Sequence, residues 1–358
     1  MTIQFILTDE QVMLRDSARR WIEQRDPREP EDFGPAWNYF AEMGWLMAGL
    51  PEEVGGLGGA TFDSAIIAEE LGRGLIRAPF VEIAVTAARL LLALDPARVA
   101  AIATGESRPL VAHDEAEARG EISWVETSAA GYGTRWRLTG RKTGIIGAAH
   151  ADSFLVSATV EGAGVSLFEI PAADAPLRAY TSIDGRAGGE LLLEGTPGTL
   201  IGTPGTALPA IAATLDHGFV AQSAEAIGAM QRALELTRDY LLTRKQYGKR
   251  LADFQALRHI LADMFIEVEQ ARSMVLRGLD ALNGEDARKR ALAATATRAR
   301  TAQAGLFVGA RAIQLHGGIG VTEEYPVGHY FKRLLAFDQR HGTAAVQVER
   351  FAGLSRAE

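Results

Sequence analysis

The apolar positions of this 358-residue chain fall into three successive rhythms. From Thr8 to about Ala103 they recur at helical spacing, beginning with Val12, Leu14 and Ala18. Thr8 is placed to cap the first helix, with Gln11 at the reciprocal position of a capping box. Further helices are predicted over Pro35–Leu46, Ser64–Leu71 and Val81–Leu94, the last ending before Pro96. Pro51-Glu-Glu-Val-Gly-Gly-Leu-Gly-Gly59 concentrates helix breakers and reads as a loop.

The rhythm shortens near Gly105. From Leu110 to about Ile201, β-prone runs such as Trp136-Arg-Leu-Thr139, Ser153–Val160 and Val165–Ile170 are separated by Gly, Pro and Asp turns, the pattern of a small all-β domain. A Gly/Pro-rich connector is expected over Gly195–Gly205. Helices return from Leu208, with breaks at Tyr247-Gly248 and Asn283-Gly284. In the second of them Phe254, Leu257, Leu261, Met264, Val268, Val275 and Leu279 trace the single face that a bundle helix buries. A third is expected from about Glu285 to Leu315 and a last from about Thr343. The domains predicted are therefore 1–105, helical; 106–205, β; and 206–358, helical.

Composition adds exclusions. Hydrophobic residues at 47% and charged residues at 23% describe a soluble globular chain. A net charge of -8 gives no electrostatic reason to bind nucleic acid or an anionic membrane. The absence of cysteine removes disulfides, thiolate metal sites and thiol catalysis. The seven histidines show no ligand-like spacing, so no metal is expected. No apolar run is long enough for a membrane span, and polar Thr8, Asp9 and Glu10 stand where a signal peptide needs its apolar region. A cytoplasmic location is expected.

Three segments carry a resemblance: Arg244-Lys-Gln-Tyr-Gly-Lys-Arg-Leu-Ala-Asp-Phe-Gln255 running to Leu261-Ala-Asp-Met264, Gln314-Leu-His-Gly-Gly318, and Thr322-Glu-Glu-Tyr-Pro326. Gly44-Trp-Leu46, Pro51–Gly56 and Glu69-Glu-Leu-Gly72 add to it nearer the N-terminus. Together they resemble the acyl-CoA dehydrogenase family. The resemblance implies an α+β multidomain fold: an N-terminal helical domain, a middle β-barrel or sandwich domain, and a C-terminal four-helix bundle. It also implies FAD, held mainly by each subunit's own β-domain and closed over by the neighbouring subunit's C-terminal helices. The segments kept here resemble those given to the neighbour. Arg244 would pair with a pyrophosphate oxygen, and Gln246 belongs to the same segment. Tyr247 replaces the usual Phe, Gln255 and Gln314 offer amide hydrogen bonds, and Gly317 and Gly318 allow close backbone approach. Read singly, Arg244 is a solvated helix-end charge and Gly317-Gly318 a helix C-cap; only the joint pattern points to a cofactor.

The family's reaction takes a proton from the carbon α to a thioester while the β-hydrogen leaves as hydride to the flavin. In most members the base is a Glu before Gly-Thr, where this chain has His341-Gly-Thr343. In a minority the Glu comes from the first long C-terminal helix, next to a substrate-binding Arg; here Gly218 and Phe219 hold those positions. The Thr-Glu-Pro-x-x-Gly-Ser-Asp segment is replaced within Val111–Gly120. The aromatic-Ile-Thr-Asn-Gly segment, whose ring and Thr meet the isoalloxazine, becomes Gly144-Ile-Ile-Gly-Ala148. Asp338 and Glu349 are expected on helix surfaces, and His316 is expected to pack rather than react.

Two readings follow from the resemblance. One is an accessory subunit of a heteromeric acyl-CoA dehydrogenase acting on a CoA thioester. The steroid side-chain class is conceivable as substrate, a catalytic partner subunit supplies base and flavin platform, and an electron-transfer flavoprotein or similar acceptor takes the electrons. The other is a self-sufficient homomeric flavoenzyme, binding FAD differently through Trp124 or Trp136 and using His341. Both imply a dimer of dimers.

Overall fold

The computed structural model describes residues 7–133 and 135–356. The helical part begins with α1 (Asp9–Glu23), α2 (Phe33–Glu42), α3 (Thr61–Arg73), α4 (Ala88–Leu94) and α5 (Val99–Ala103). The capping box at Thr8 and Gln11 forms, each side chain bonding the other's backbone N–H. The helix expected to reach Leu46 stops at Glu42, because Gly44 adopts a left-handed φ of +72°. Val81–Ala87 winds as a π-helix, every residue of it buried, and the Thr86 hydroxyl donates to Val81 O at 3.2 Å.

Seven strands follow: β1 (Pro109–Ala112), β2 (Ser128–Tyr132), β3 (Arg135–Ile146), β4 (Ser153–Val160), β5 (Gly164–Pro171), β6 (Leu177–Thr181) and β7 (Ala187–Ile201). Their order is β1-β4-β2-β3-β7-β5, and β5 pairs back onto β4. The ladder β4-β2-β3-β7-β5 thus closes into a small barrel, in which β1 and β2 share one edge of β4, β1 beside Ser153–Val156 and β2 beside Thr159–Val160, while β6 adds to β7. The connector expected at Gly195–Gly205 is mostly strand. Gly195, at φ +67°, is the extra residue of a bulge: Leu138 pairs Thr196 while Thr139 pairs Glu194, and β7 resumes to Ile201.

The C-terminal half comprises α6 (Ala207–Thr243), the two-residue strands β8 (Lys245–Gln246) and β9 (Lys249–Arg250), α7 (Gln255–Leu282), α8 (Ala287–His316), α9 (Val327–Gln339) and α10 (Ala344–Arg356). On α7 the apolar face expected from the sequence holds Met264, Val268, Val275 and Leu279 buried, together with Ala271, Gly278 and Leu282. The order expected from the sequence holds: N-terminal helices, a central β-barrel and a C-terminal helical bundle.

The chain forms two compact units. One takes the chain up to Pro30, Ala65–Ile76 and everything from Phe219; the other takes Glu31–Ser64 and Arg77–Gly218. In the first, α3 packs on α6 through the Glu69-Glu-Leu-Gly72 segment. Arg73 bonds Glu235 at 2.5 and 2.9 Å, and buried Arg333 of α9 donates to Glu225 at 2.6 Å. In the second, the barrel core is built on Leu138, Phe154, Val156, Leu167, Phe168 and Leu191, all fully buried. Among the described residues no helix is long and apolar enough to cross a membrane.

Candidate functional site

After α6 the chain reverses through Tyr247-Gly248, whose φ values of +53° and +79° are both left-handed. A two-residue hairpin between β8 and β9 requires this, since such turns match the strand twist. The turn lifts Tyr247 to the tip, 92% exposed, and leaves Arg244, Lys245, Gln246, Lys249 and Arg250 exposed on the arms. The Arg244 backbone is fixed at both ends, donating to Tyr240 O at 2.8 Å and accepting from Leu251 N at 2.9 Å. Phe254 links this hairpin to Gln255: its ring lies edge-on to Tyr247 at 6.4 Å and under Lys249 Nζ at 4.2 Å. Gln255, the first residue of α7, is exposed.

At the end of α8, Gln314 is exposed and Gly317 is the C-cap, at φ +67° and ψ -141°. A Cβ on Gly317 or Gly318 would meet nothing within 4 Å, so both face open space. The Tyr240 ring, one turn before Arg244, stacks on His316 at 4.6 Å and brings the turn to the end of the bundle that carries the hairpin. Arg244, Gln246, Tyr247 and Gln255 are thus exposed alongside Lys245, Lys249 and Arg250, and the Tyr240–His316 contact ties the turn with exposed Gln314, Gly317 and Gly318 to the end of α6 from which the hairpin springs.

His341 lies elsewhere. It sits in the turn between α9 and α10 at a left-handed φ of +56°, followed by Gly342 at +87°. The turn is held from three sides. Fully buried Arg298 donates to Phe337 O and Arg340 O at 2.5 and 2.6 Å and to Gln222 Oε1 at 3.0 Å, satisfying carbonyls at the end of α9. Asp338 Oδ1 accepts from Ala344 N at 2.9 Å, and buried Gln347 donates to His341 O at 2.6 Å. Asp338 is thus not a surface acid; it is 4% exposed and anchors α10. The His341 ring lies 5.5 Å from the Phe219 ring, which also has the Arg298 and Arg350 guanidiniums at 5.7 and 5.5 Å. Arg298 precedes Gln314 by sixteen residues of α8, about 24 Å of helix, so the His341 turn and the exposed surface are distinct places. At the alternative base position, a Cβ on Gly218 would come to 3.0 Å from Thr86 Oγ1.

The barrel's flavin-facing positions are equally altered. Gly144, at φ +67°, lies in a register shift between Lys142 and Ile145, and a Cβ there would meet nothing within 4 Å. No ring occupies that space, and Ile146 brings no hydroxyl. Trp136 is buried against Phe168 with its Nε1 donating to Gly133 O at 2.8 Å, so it is core, whereas Trp124, the other ring expected to offer a platform, is 46% exposed. Sequence reading missed what replaces the motif within Val111–Gly120. Buried Lys142 Nζ donates to Glu115 Oε1 (2.7 Å), His113 O (3.1 Å) and Ser157 Oγ (2.9 Å), and Glu115 also accepts from the Glu126 and Thr127 N–H groups. Burial pushes the Lys142 ammonium down to about 8 even with Glu115 beside it. The acid at Glu115, within Val111–Gly120, was the available signal.

Comparison with known proteins agrees with this architecture. Residues 8–93 match the N-terminal domain of acyl-CoA dehydrogenases and residues 208–353 their C-terminal domain. The probable acyl-CoA dehydrogenase FadE25 of Mycobacterium tuberculosis is 30% identical over 339 residues, covering 89% of this chain and 86% of FadE25. The chain belongs to the acyl-CoA dehydrogenase family. Among solved members, the Tcur3481-Tcur3483 steroid ACAD aligns with this acyl-CoA dehydrogenase homologue at a TM-score of 0.86 and 29% identity, covering 97% of this chain and 98% of that one. The ChsE4-ChsE5 complex from Mycobacterium tuberculosis gives a TM-score of 0.87 at 25% identity, with 99% and 100% covered.

The family implies FAD, and the residues present fit it in one half only. The exposed surface has what a dinucleotide needs: guanidinium and ammonium groups, amide side chains, and glycines with open space above them. The barrel does not fit an isoalloxazine, having Gly144 and Ile146 at the positions for its ring and hydroxyl contacts.

Proposed function

We propose that this chain is the accessory subunit of a heteromeric acyl-CoA dehydrogenase in the cytoplasm, with domains 1–105, 106–205 and 206–358. It closes over FAD held in the barrel of a catalytic partner subunit. The observation that carries the reading is the asymmetry just described: donors displayed outward at one end of the helical bundle, and no platform in the chain's own barrel. Arg244 would take a pyrophosphate oxygen, Tyr247 would lie against the nucleotide, Gln246, Gln255 and Gln314 would donate amide hydrogen bonds, and Gly317 and Gly318 would let the backbone approach. When bound, FAD supplies the acceptor for the hydride leaving the thioester's β-carbon. The base belongs to the partner, since His341 is locked in a turn among Phe219 and guanidiniums and Gly218 has no side chain.

Matches to the two-name ChsE4-ChsE5 complex and to the Tcur3481-Tcur3483 steroid ACAD support a two-chain assembly and a CoA ester of a steroid side chain as substrate class. An electron-transfer flavoprotein or a similar acceptor would reoxidise the complex.

The test is the visible spectrum. Expressed alone, the chain should purify colourless. Co-expressed with a family member that has intact Thr-Glu-Pro and Glu-Gly-Thr segments, it should form a yellow complex with one FAD per two chains. A homo-oligomer carrying one FAD per chain and oxidising an acyl-CoA would overturn the proposal in favour of the self-sufficient enzyme.

A further inference from the structure

Tyr240, His316 and Tyr325 come from three separate segments and form one three-ring aromatic cluster. His316 lies 4.6 Å from Tyr240 at 29° and 4.8 Å from Tyr325 at 49°; the two tyrosine rings are 6.2 Å apart. Each ring stands next to or within one of the segments that carry the family resemblance. Tyr240 accepts the Arg244 N–H on its carbonyl, His316 lies between Gln314 and Gly317, and Tyr325 is inside Thr322–Pro326.

His316 is 4% exposed. Its Nδ1 bonds Ala312 O at 2.7 Å, which places a proton there, and Nε2 is buried without a hydrogen-bond partner among the described residues. Burial holds its pKa below the ordinary imidazole value, against the Ala312 and Leu236 carbonyls that favour the proton. The three centroid distances make a triangle, so the buried imidazole touches both tyrosines, stacked on Tyr240 and tilted against Tyr325, and serves as a spacer rather than an acid or base. Among the described residues no hydrogen bond runs directly from hairpin 244–250 to turn 314–318, and the cluster is what joins them.

We propose that His316 is a positioning residue: clasped by Tyr240 and Tyr325, it fixes the spacing between the Arg244 hairpin and the Gln314–Gly318 turn so that both close on one dinucleotide. This rests on the proposed accessory role and adds to it the internal part that sets the grip. The cluster touches no cofactor atom; it acts through the residues it holds.

Two substitutions separate ring from hydrogen bond. H316F keeps an aromatic face for both tyrosines, while H316L keeps bulk and loses the ring. Two aromatic contacts, one stacked and one tilted, correspond to roughly a tenfold effect. In the complex with the co-expressed partner, H316L should weaken FAD binding about tenfold and H316F should restore it to within about threefold of the parent. In the chain alone, hydrogen exchange of H316L should quicken at 244–250 and 314–321 together, with the barrel unchanged. If H316L leaves FAD binding and exchange at both segments unaltered, or if H316F is as damaging as H316L, the positioning role falls. R244A serves as the control: its failure to release FAD would sink the accessory reading itself, whereas loss in R244A with none in H316L sinks only the role of the cluster.

Discussion

Gly228 of α6 presses directly on the Glu69 carbonyl of α3: a Cβ at Gly228 would lie 1.7 Å from that oxygen, and one at Gly72 would lie 1.9 Å from Glu225 O. The two helices therefore meet backbone to backbone, and the glycine of Glu69-Glu-Leu-Gly72 is explained by the crossing. We expect G228A to destabilise the helical unit by about 3 kcal/mol or more, because no flexible side chain is there to yield. Urea unfolding followed by circular dichroism checks this. A loss below about 1 kcal/mol would show that the helices separate easily.

The guanidinium of Arg244 is expected to matter more than its charge alone. In the hetero-complex R244A should weaken FAD binding by roughly 10- to 100-fold, the worth of a charge-assisted hydrogen bond, and R244K should recover only part of it. Equilibrium titration of the deflavinated complex is the measurement, and equal affinity in R244K and the parent would remove the case for a planar donor.

Restoring a carboxylate should not restore catalysis. H341E puts an acid into a turn bounded by Arg298, Phe219 and Arg350, in a chain whose barrel lacks the ring and hydroxyl positions. The isolated H341E chain should show no acyl-CoA oxidation above background in a dye-reduction assay. Turnover at even 1% of the rate of a family enzyme, well within the ~10²–10⁴-fold contribution of a positioned base, would disprove it.

Acid should loosen the helical unit through Glu235. Burial alone would raise this carboxyl, but hydrogen bonds from Arg73, Gln231 and Arg232 overcome it and hold the pKa at about 2, below the ordinary 4.5. A depressed folded-state value means stability that is complete above pH 4.5 and is lost as pH falls from there towards 2. The contribution is about 3 kcal/mol, discounted somewhat for the partial exposure of the pair. E235Q should flatten that part of the acid-unfolding curve, and an unchanged curve would assign the effect to other groups.

In the barrel, K142M should cost about 3–5 kcal/mol, since it strands the buried Glu115 carboxylate, and K142M/E115L should regain most of it. Thermal unfolding of the three proteins decides the point.

Much of this was legible in the sequence where a local rule acts alone. The capping box at Thr8 needs only the two side chains and their spacing, and the α7 stripe needs only helical periodicity. What escaped depends on partners distant in sequence. Helix α9 went unrecognised because its buried positions include Arg333 and Asp338, polar side chains whose burial depends on Glu225 and on the Ala344 N–H. The strand through Gly195 read as a connector because a bulge glycine and a loop glycine look alike without the pairing partner on β3. The exposed hairpin and turn residues were named through a pattern, whereas the rings behind them were not, since no spacing announces that Tyr240, His316 and Tyr325 meet.

The closure of β4-β2-β3-β7-β5 bears on how such a chain could arise. In a closed ladder whose bonds all run between strands of the chain itself, a departing ligand takes no ladder bond with it. Under the proposed accessory role, such a scaffold sheds a prosthetic group and still folds, leaving selection free to keep the outward-facing half of an inherited trade.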